Sequence, residues 1–323
     1  MNQKVNSNIM VSIKVLSYKH VKYIRQALDS ILNQKVNFKY EIVVGEDCSN
    51  DGTKEILLEY KEKYPDIFIL LIHEKNLGAA KNEYLVGKKC RGKYIANLES
   101  DDYWCDENKL QKQVDYLEKH PKIMAVGSND YFVDNEGKNP VKSLATFETD
   151  RIYKMKDYLY NGMRIHTNTL LYRNVIPVDG EEYEKVRFCA PTMGDVFKRC
   201  LIYDLGDIYV FPDIMLCHRN GQAVKSSFQA QQVNNAMKNT YMMMTIVEHM
   251  DVYFKGKYDF SSKIATRLGS LYLEHILGNI NLDLDEYKKV KKTLSIKNRM
   301  LIKKYIIYAL ILKCRRRIDR KGN

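Results

Sequence analysis

Three carboxylates stand within four residues at Glu99-Ser100-Asp101-Asp102, directly after the apolar run Tyr94-Ile95-Ala96-Asn97-Leu98. The run is short and fit for a buried strand, and the carboxylates fall where that strand ends. Packed so closely, they repel one another unless a positive charge lies between them. A divalent cation holding a diphosphate can supply it, because hard cations take oxygen ligands and Mg²⁺ binds one or two carboxylates together with phosphates. A solvated acidic turn is the alternative for an isolated motif of this kind. A second acidic pair, Glu46-Asp47, closes the run Tyr40-Glu41-Ile42-Val43-Val44-Gly45. The two strand ends together suit a nucleotide whose base and ribose meet the first pair while its diphosphate meets a metal at the second.

The elements that must position these groups alternate. Val11–Leu16 reads as a first strand, and the polar turn Ser17-Tyr18-Lys19-His20 follows it. Val21, Ile24, Leu28, Ile31 and Leu32 then recur at helical spacing. After the second strand, Cys48-Ser49-Asn50-Asp51-Gly52-Thr53 leads into a helix running to about Lys63, with Asn50 or Asp51 as N-cap. Ser49 and Asp51 read as shaping that turn. Ile67–Ile72 is a third strand, Asn76-Leu77-Gly78 turns into a helix from about Ala79 to Lys89, and Arg91-Gly92 leads into the acidic strand. Such alternation predicts right-handed βαβ units and a mostly parallel sheet, whose ligands sit outside the carboxyl ends of the strands. Further on, the pattern predicts a helix around Lys109–Leu117 and a strand at Ile123–Gly127. An Asn129–Lys142 excursion, a strand at Thr167–Arg173 and a strand pair at Ile208–Phe211 and Ile214–Arg219 follow. No G-x-G-x-x-G follows the first strand and no G-x-x-x-x-G-K-[ST] occurs, which sets aside dinucleotide oxidoreductases and P-loop NTPases.

The 323 residues are 45% hydrophobic and 28% charged, ordinary for a soluble globular protein. Met1 to Met10 is polar, so no signal peptide is expected, and no run approaches the ~18 apolar residues of a transmembrane helix. Seven scattered cysteines without C-x-x-C spacing predict reduced thiols in a cytoplasmic protein, and argue against a disulfide framework or a structural zinc site. The net charge of +12 looks like a nucleic-acid signal until it is located. From Lys288 onward fourteen Lys/Arg face one acid, Asp319, a net of +13, which leaves −1 for residues 1–287. No nucleic-acid partner is expected.

Residues 9 to about 225 resemble the family 2 glycosyltransferases, nucleotide-diphospho-sugar transferases of the GT-A fold. The matching stretches are Val11–Gln34, Tyr40–Thr53, Asn76–Asn82, Gly92–Trp104 with its D-x-D-like acids, and a later Gly194-Asp195. The resemblance implies an α/β, Rossmann-like, mostly parallel sheet flanked by helices, with a C-terminal α-helical appendage. It divides the chain into a transferase domain over 1–228 and a helical region over 229–323. Within the first, a nucleotide-sugar half spans about 9–105 and an acceptor half about 106–228. Glu46 and Glu99 stand where the family usually has Asp, which keeps the charge and lengthens the arm. Lys81 stands where many relatives carry Arg, exchanging a forked donor for a point charge.

By the same resemblance Ser17, Tyr18, Glu46 and Asp47 line the nucleoside pocket, while Lys81, Glu99, Ser100 and Arg219 serve the donor. Asp101, Asp102 and His218 hold Mg²⁺ or Mn²⁺, with Asp101 favoured as direct ligand. Arg219 falls in His218-Arg219-Asn220-Gly221-Gln222, similar to the family's late basic segment, where its fork matches phosphate. Asp195, after Pro191-Thr192-Met193, is either the general base for the acceptor hydroxyl or an N-cap for the helix Val196–Leu205. Trp104 stacks on a ligand or anchors the core. The implied activity is an inverting, metal-dependent transfer of a sugar from a nucleoside-diphosphate donor, UDP-linked foremost, to a hydroxyl of a glycan or lipid-linked acceptor. Its implied setting is surface polysaccharide synthesis. A sugar nucleotidylyltransferase shares the fold but usually opens with a Gly-rich basic loop, where this chain has Ser17-Tyr18-Lys19-His20. A non-catalytic protein acting through its basic tail is the other alternative. From about Ala230 the chain reads as helical. Its last helix, Met300–Leu312, is apolar between Lys303-Lys304 and Arg315-Arg316-Arg317, a pattern fit for an anionic membrane surface on the cytoplasmic side or for a solvated tail.

Overall fold

The computed structural model describes residues 8–143, 147–160, 165–176, 180–190, 194–219 and 236–319. Pro191-Thr192-Met193, Asn220-Gly221-Gln222 and the start of the helical region at Ala230 lie outside them. The chain forms two compact units, residues 1–155 with 164–223, and residues 156–163 with 224–323.

The first unit begins with β1 (Val11–Ser17), α1 (Ile24–Leu32), β2 (Tyr40–Glu46), α2 (Thr53–Lys63), β3 (Phe68–Ile72), α3 (Ala79–Gly87) and β4 (Tyr94–Glu99). These strands pair in parallel in the order β3-β2-β1-β4. Helix α1 forms because Ile24, Ala27, Leu28 and Ile31 fall on one face, and all four are fully buried. Burial at that level stabilises by roughly 1.5–3 kcal/mol per large apolar side chain. Along β1, Val11, Ile13 and Val15 enter the core on one face while Ser12 and Lys14 are buried on the other. Those polar groups are satisfied. The Ser12 hydroxyl donates to Glu41 at 2.6 Å and accepts the Arg91 and Gly92 amides. A Cβ on Gly92 would lie 2.5 Å from the Ser12 nitrogen, so the Arg91-Gly92 turn requires glycine to let β4 enter beside β1.

The chain continues through β5 (Tyr103–Trp104), α4 (Lys109–Lys119), β6 (Ile123–Val133), β7 (Val141–Lys142), β8 (Arg151–Tyr153), α5 (Met155–Tyr160) and a 3₁₀ turn at Thr167–Thr169. Beyond the turn come β9 (Leu171–Arg173), α6 (Glu181–Cys189), α7 (Gly194–Leu205) and β10 (Asp207–Arg219). Here the sheet becomes mixed: β9 is antiparallel to β4 and β6, β10 is parallel to β6, and β5 is antiparallel to β10. Three expectations are corrected in this half. The Asn129–Lys142 excursion is half strand, because β6 runs on to Val133 before the connection to β7. Of the expected strand at 167–173, only Leu171–Arg173 is strand. The expected strand pair is one strand, β10, bent by register shifts either side of Ile214, and Asn129 donates to the Pro212 carbonyl at 2.7 Å within the bend.

The second unit carries α8 (Ala236–Tyr253), α9 (Ser261–Ile276), α10 (Leu284–Thr293) and α11 (Ile296–Asp319). Phe254, Phe260, Ile264, Leu268, Leu273, Val290 and Ile302 are buried in it. Asp283 caps α10 by accepting the Asp285 and Glu286 amides, each at 3.0 Å. Helix α11 is longer than expected and starts at Ile296.

Candidate active site

The sheet order places β2 on one side of β1 and β4 on the other, so the chain leaves their carboxyl ends in opposite directions and opens a crevice there. Register fixes what lines it: Ser17 lies opposite Glu46, and Leu16 opposite Glu99. The first acidic pair and the acidic turn therefore stand at one level of the sheet.

At the nucleoside end the loops bind each other. Lys19, in the left-handed region at φ 57°, donates its amide to Ser49 Oγ at 2.9 Å, and the His20 amide donates to Thr53 Oγ1 at 3.0 Å. Asp51 Oδ1 accepts the Thr53 amide and hydroxyl, and its other oxygen takes the Val21 amide. The N-cap of α2 is Gly52, in the left-handed region and without a side-chain cap bond, so neither Asn50 nor Asp51 is the N-cap; Asp51 instead shapes the turn before it. The Glu46 carboxylate accepts the Cys48 and Ser49 amides at 3.1 and 2.7 Å, and Asp47 accepts those of Leu77 and Gly78 at 2.7 and 2.9 Å. Both acids are buried and act here as loop clasps. Ser17 is buried with its hydroxyl unpartnered, whereas Tyr18 is exposed.

The acidic turn is denser. Asp102 is buried, its carboxylate accepting the Arg219 amide at 3.0 Å and the Asn168 side chain at 2.7 Å. Ligand oxygens of Glu99, Asp101 and Asp102 lie within 4.8 Å of one another, and so do those of Asp102 with nitrogens of His166 and His218. Partial desolvation, then Asp101 and Asp195, raise the carboxyl of Glu99, which stands exposed at the strand end. Desolvation, then Asp101 and Glu99, raise Asp102 well above the usual carboxylate range. Burial also holds His166 and His218 below the ordinary imidazole value, so both favour the neutral form that ligates metals. A divalent cation fits this donor set, because one Asp101 oxygen and the His218 Nδ1 are buried without a hydrogen-bond partner. His20 adds a third imidazole, 2.7 Å from Ser100 Oγ and 3.9 Å from an Asp101 oxygen.

Asp195 opens the first turn of α7, past the N-cap position, where the helix dipole favours an anion. Its side chain keeps 54% of its surface exposed, enough for a second molecule to reach it. Thr167 donates to one oxygen at 2.9 Å and Lys198 lies 3.5 Å from the other. Desolvation is the largest single influence and would raise this carboxyl, but Lys198, Arg199 and the Thr167 hydroxyl together outweigh it and the net shift is downward.

The surroundings of three further expected residues are as follows. The Arg219 guanidinium donates to the carbonyls of Asp101 and Asn135 and to Gln26, and stacks over Tyr23 and Tyr103. Its hydrogen bonds tie the acidic turn to the segments around it. Lys81 is exposed and lies over Tyr84 and Phe188, 5.2 and 5.0 Å from their ring centres. Trp104 is a core anchor: it is buried and donates from Nε1 to the Asn168 carbonyl at 3.1 Å. The sequence reading passed over His166, His20, Asn168 and Lys198. A usable signal was Thr167-Asn168-Thr169, three polar residues unsuited to a buried strand and suited to the capped turn they form.

Residues 12–177 match the model of glycosyl transferase family 2. A 112-residue stretch is 41% identical to an uncharacterised protein of Mycobacterium tuberculosis, covering 35% of this chain and 32% of that one. Another of 108 residues is 35% identical to TuaG of Bacillus subtilis, named a putative teichuronic acid biosynthesis glycosyltransferase, covering 33% of this chain and 42% of TuaG. The matches thus span less than half the length of these relatives. S. aureus TarS 1–349, solved in complex with UDP-GlcNAc, shares the fold with a TM-score of 0.60 at 18% identity, over 91% of this chain and 78% of that one. With the family model matching half of its length, the chain belongs to glycosyl transferase family 2.

Proposed function

We propose that this protein transfers a sugar from a nucleoside-diphosphate donor to a hydroxyl of a glycan or lipid-linked acceptor, with inversion and with a divalent cation. The observation that carries the reading is the pairing, across one crevice, of an acidic turn backed by imidazoles with an exposed carboxylate held in its ionised form. UDP is the favoured nucleotide, since the TarS structure named above contains UDP-GlcNAc. The TuaG likeness supports a cell-surface polysaccharide as product. Residues 1–228 would form the transferase and 229–323 a helical region whose basic end meets the inner membrane face.

Asp101, Asp102 and His218, with His166, would hold Mg²⁺ or Mn²⁺, which when bound offsets the charge of the leaving diphosphate. Arg219 and Asn168 fix the turn that carries these ligands, so the donor meets a preformed surface. Tyr18 and Ser17 border the nucleoside. Asp195 receives the acceptor's hydroxyl proton as that oxygen bonds to the anomeric carbon, and the bond from that carbon to the diphosphate breaks on the opposite face. A positioned base of this kind contributes roughly 10²–10⁴-fold.

Donor hydrolysis tests the reading. Purified protein would be given UDP-, GDP- and dTDP-sugars with Mn²⁺, Mg²⁺ or EDTA, and free nucleotide measured beside Asp101→Ala and Asp195→Asn. Slow release from one donor, lost with EDTA and in Asp101→Ala, is expected. Absence of both turnover and metal-dependent UDP binding would overturn the proposal.

A further inference from the structure

We infer that Lys198 is a positioning residue for Asp195, shared with the buried carboxylate of Glu83 so that the orientation and charge of the base are set by an ion cluster behind the crevice. The inference deepens the proposal above and rests on its assignment of Asp195 as base. Glu83, on α3, is 11% exposed and meets three cations. Lys14 of β1 lies 3.0 Å from one of its oxygens, Lys198 of α7 lies 2.6 Å from the same oxygen, and Arg187 of α6 bonds the other. All three cations are largely buried, at 6%, 13% and 5% of side-chain surface. Three buried cations against one carboxylate leave an excess of positive charge, and Lys198 reaches toward Asp195 at 3.5 Å. Asp195 is thus the second anion of the cluster.

The backbone is built around this arrangement. The Arg187 guanidinium occupies the space beside Gly194, where a Cβ would fall 1.8 Å from its Nη1. That nitrogen is buried and has no hydrogen-bond partner. On the other side Thr167 donates to Asp195 and itself accepts from Arg199 at 3.0 Å. The charged and titratable groups facing Asp195 are therefore Lys198 and Arg199 from its own helix, Glu83 from α3, Glu99 from β4, Tyr172 from β9, and His166 beside the 3₁₀ turn. Desolvation, Glu83 and Glu99 oppose its ionisation, while Lys198 and Arg199 favour it, and Glu83 and Asp195 are linked through the one Lys198 ammonium. Lys198 is largely buried while Asp195 is half exposed, so the pair is screened on the solvent side only and the loss of Lys198 still falls on the base.

The experiment compares Lys198→Gln, Lys198→Arg and Asp195→Asn in the full chain, reading the pH profile of transfer, donor KM, and thermal midpoint. In Lys198→Gln, kcat is expected to fall about tenfold or more with donor KM unchanged, and the acid limb to move to higher pH because the carboxyl loses its cation. Lys198→Arg restores the limb. If Lys198→Gln lowers only the thermal midpoint and leaves the acid limb in place, Lys198 is merely structural and the inference fails while the base assignment stands. If Asp195→Asn keeps full activity, the base assignment fails and takes this inference with it. A double-mutant cycle of the thermal midpoints reads the Lys198–Asp195 coupling independently of turnover, and strict additivity there would also overturn it.

Discussion

Lys109 shows how one residue can stand against the stability of the structure that surrounds it. It is fully buried, lies 4.3 Å from the Trp104 ring centre and donates to Gln113 at 2.7 Å. Gln113 in turn donates to the Thr169 carbonyl, so the lysine underlies the wall that carries Asn168. Desolvation lowers its amine to about 7 from the ordinary lysine value of 10.5. The sign follows from proton counting. Between pH 7 and 10.5 the unfolded chain binds more protons at this site than the folded one, so wild-type stability rises with pH across that window and is flat below it. Lys109→Met removes the dependence. We expect its stability relative to wild type to improve by a few kcal/mol on going from pH 10.5 down to pH 7, while the unpaired Gln113 oxygen lowers it by about 1–3 kcal/mol at every pH. Urea melts at several pH values would check this, and parallel curves for the two proteins would refute it.

At the scale of elements the sequence was legible wherever periodicity had one cause. Helix α1 and strands β1, β2 and β4 were placed within a residue or two, because the apolar spacing there reports burial directly. Legibility failed where long-range pairing decided. Ile208–Phe211 and Ile214–Arg219 look like two strands because Pro212-Asp213 interrupts the pattern, yet pairing with β6 carries one strand across the bend. The acidic residues of the site were likewise readable from type and spacing, but their partners were not. Nothing local ties Glu83 to Lys14, Arg187 and Lys198, which the fold gathers from four elements. Glycines test that gathering. In Gly194→Ala the new methyl meets the far end of Arg187, whose guanidinium must shift and strain its buried pair with Glu83, a loss of about 1–3 kcal/mol. Gly87→Ala, at the end of α3, meets nothing within 4 Å and is expected to be neutral or to stabilise by up to about 1 kcal/mol. Thermal melts of the two variants should diverge strongly, and similar midpoints would mean that the close approach at Gly194 is not required.

At the scale of the whole molecule the charge is partitioned, with −1 over residues 1–287 and +13 beyond. Among the described residues no helix is long and apolar enough to cross a membrane. Helix α11 carries two contrasting faces. Asn298 and Ile302 are buried, while Ile296, Met300 and Ile307 are 72%, 66% and 59% exposed and fall on one stripe by helical spacing. Lys297, Arg299, Lys303 and Lys304 lie in and beside that stripe. An apolar stripe edged with cations matches a bilayer surface of anionic headgroups, each basic residue near such a surface contributing about 1 kcal/mol. We therefore predict that the full chain sediments with phosphatidylglycerol vesicles and not with pure phosphatidylcholine. Raising salt from 0.05 to about 0.5 M should weaken binding sharply, because the Debye length falls below the span of the basic patch. Ile307→Ser together with Met300→Ser should weaken it at low salt without altering donor hydrolysis. Binding that is indifferent to lipid charge would reassign the basic tail, whereas binding lost to salt but untouched by the double serine variant would reduce the stripe to a bystander and leave the lysines and arginines as the whole of the attraction.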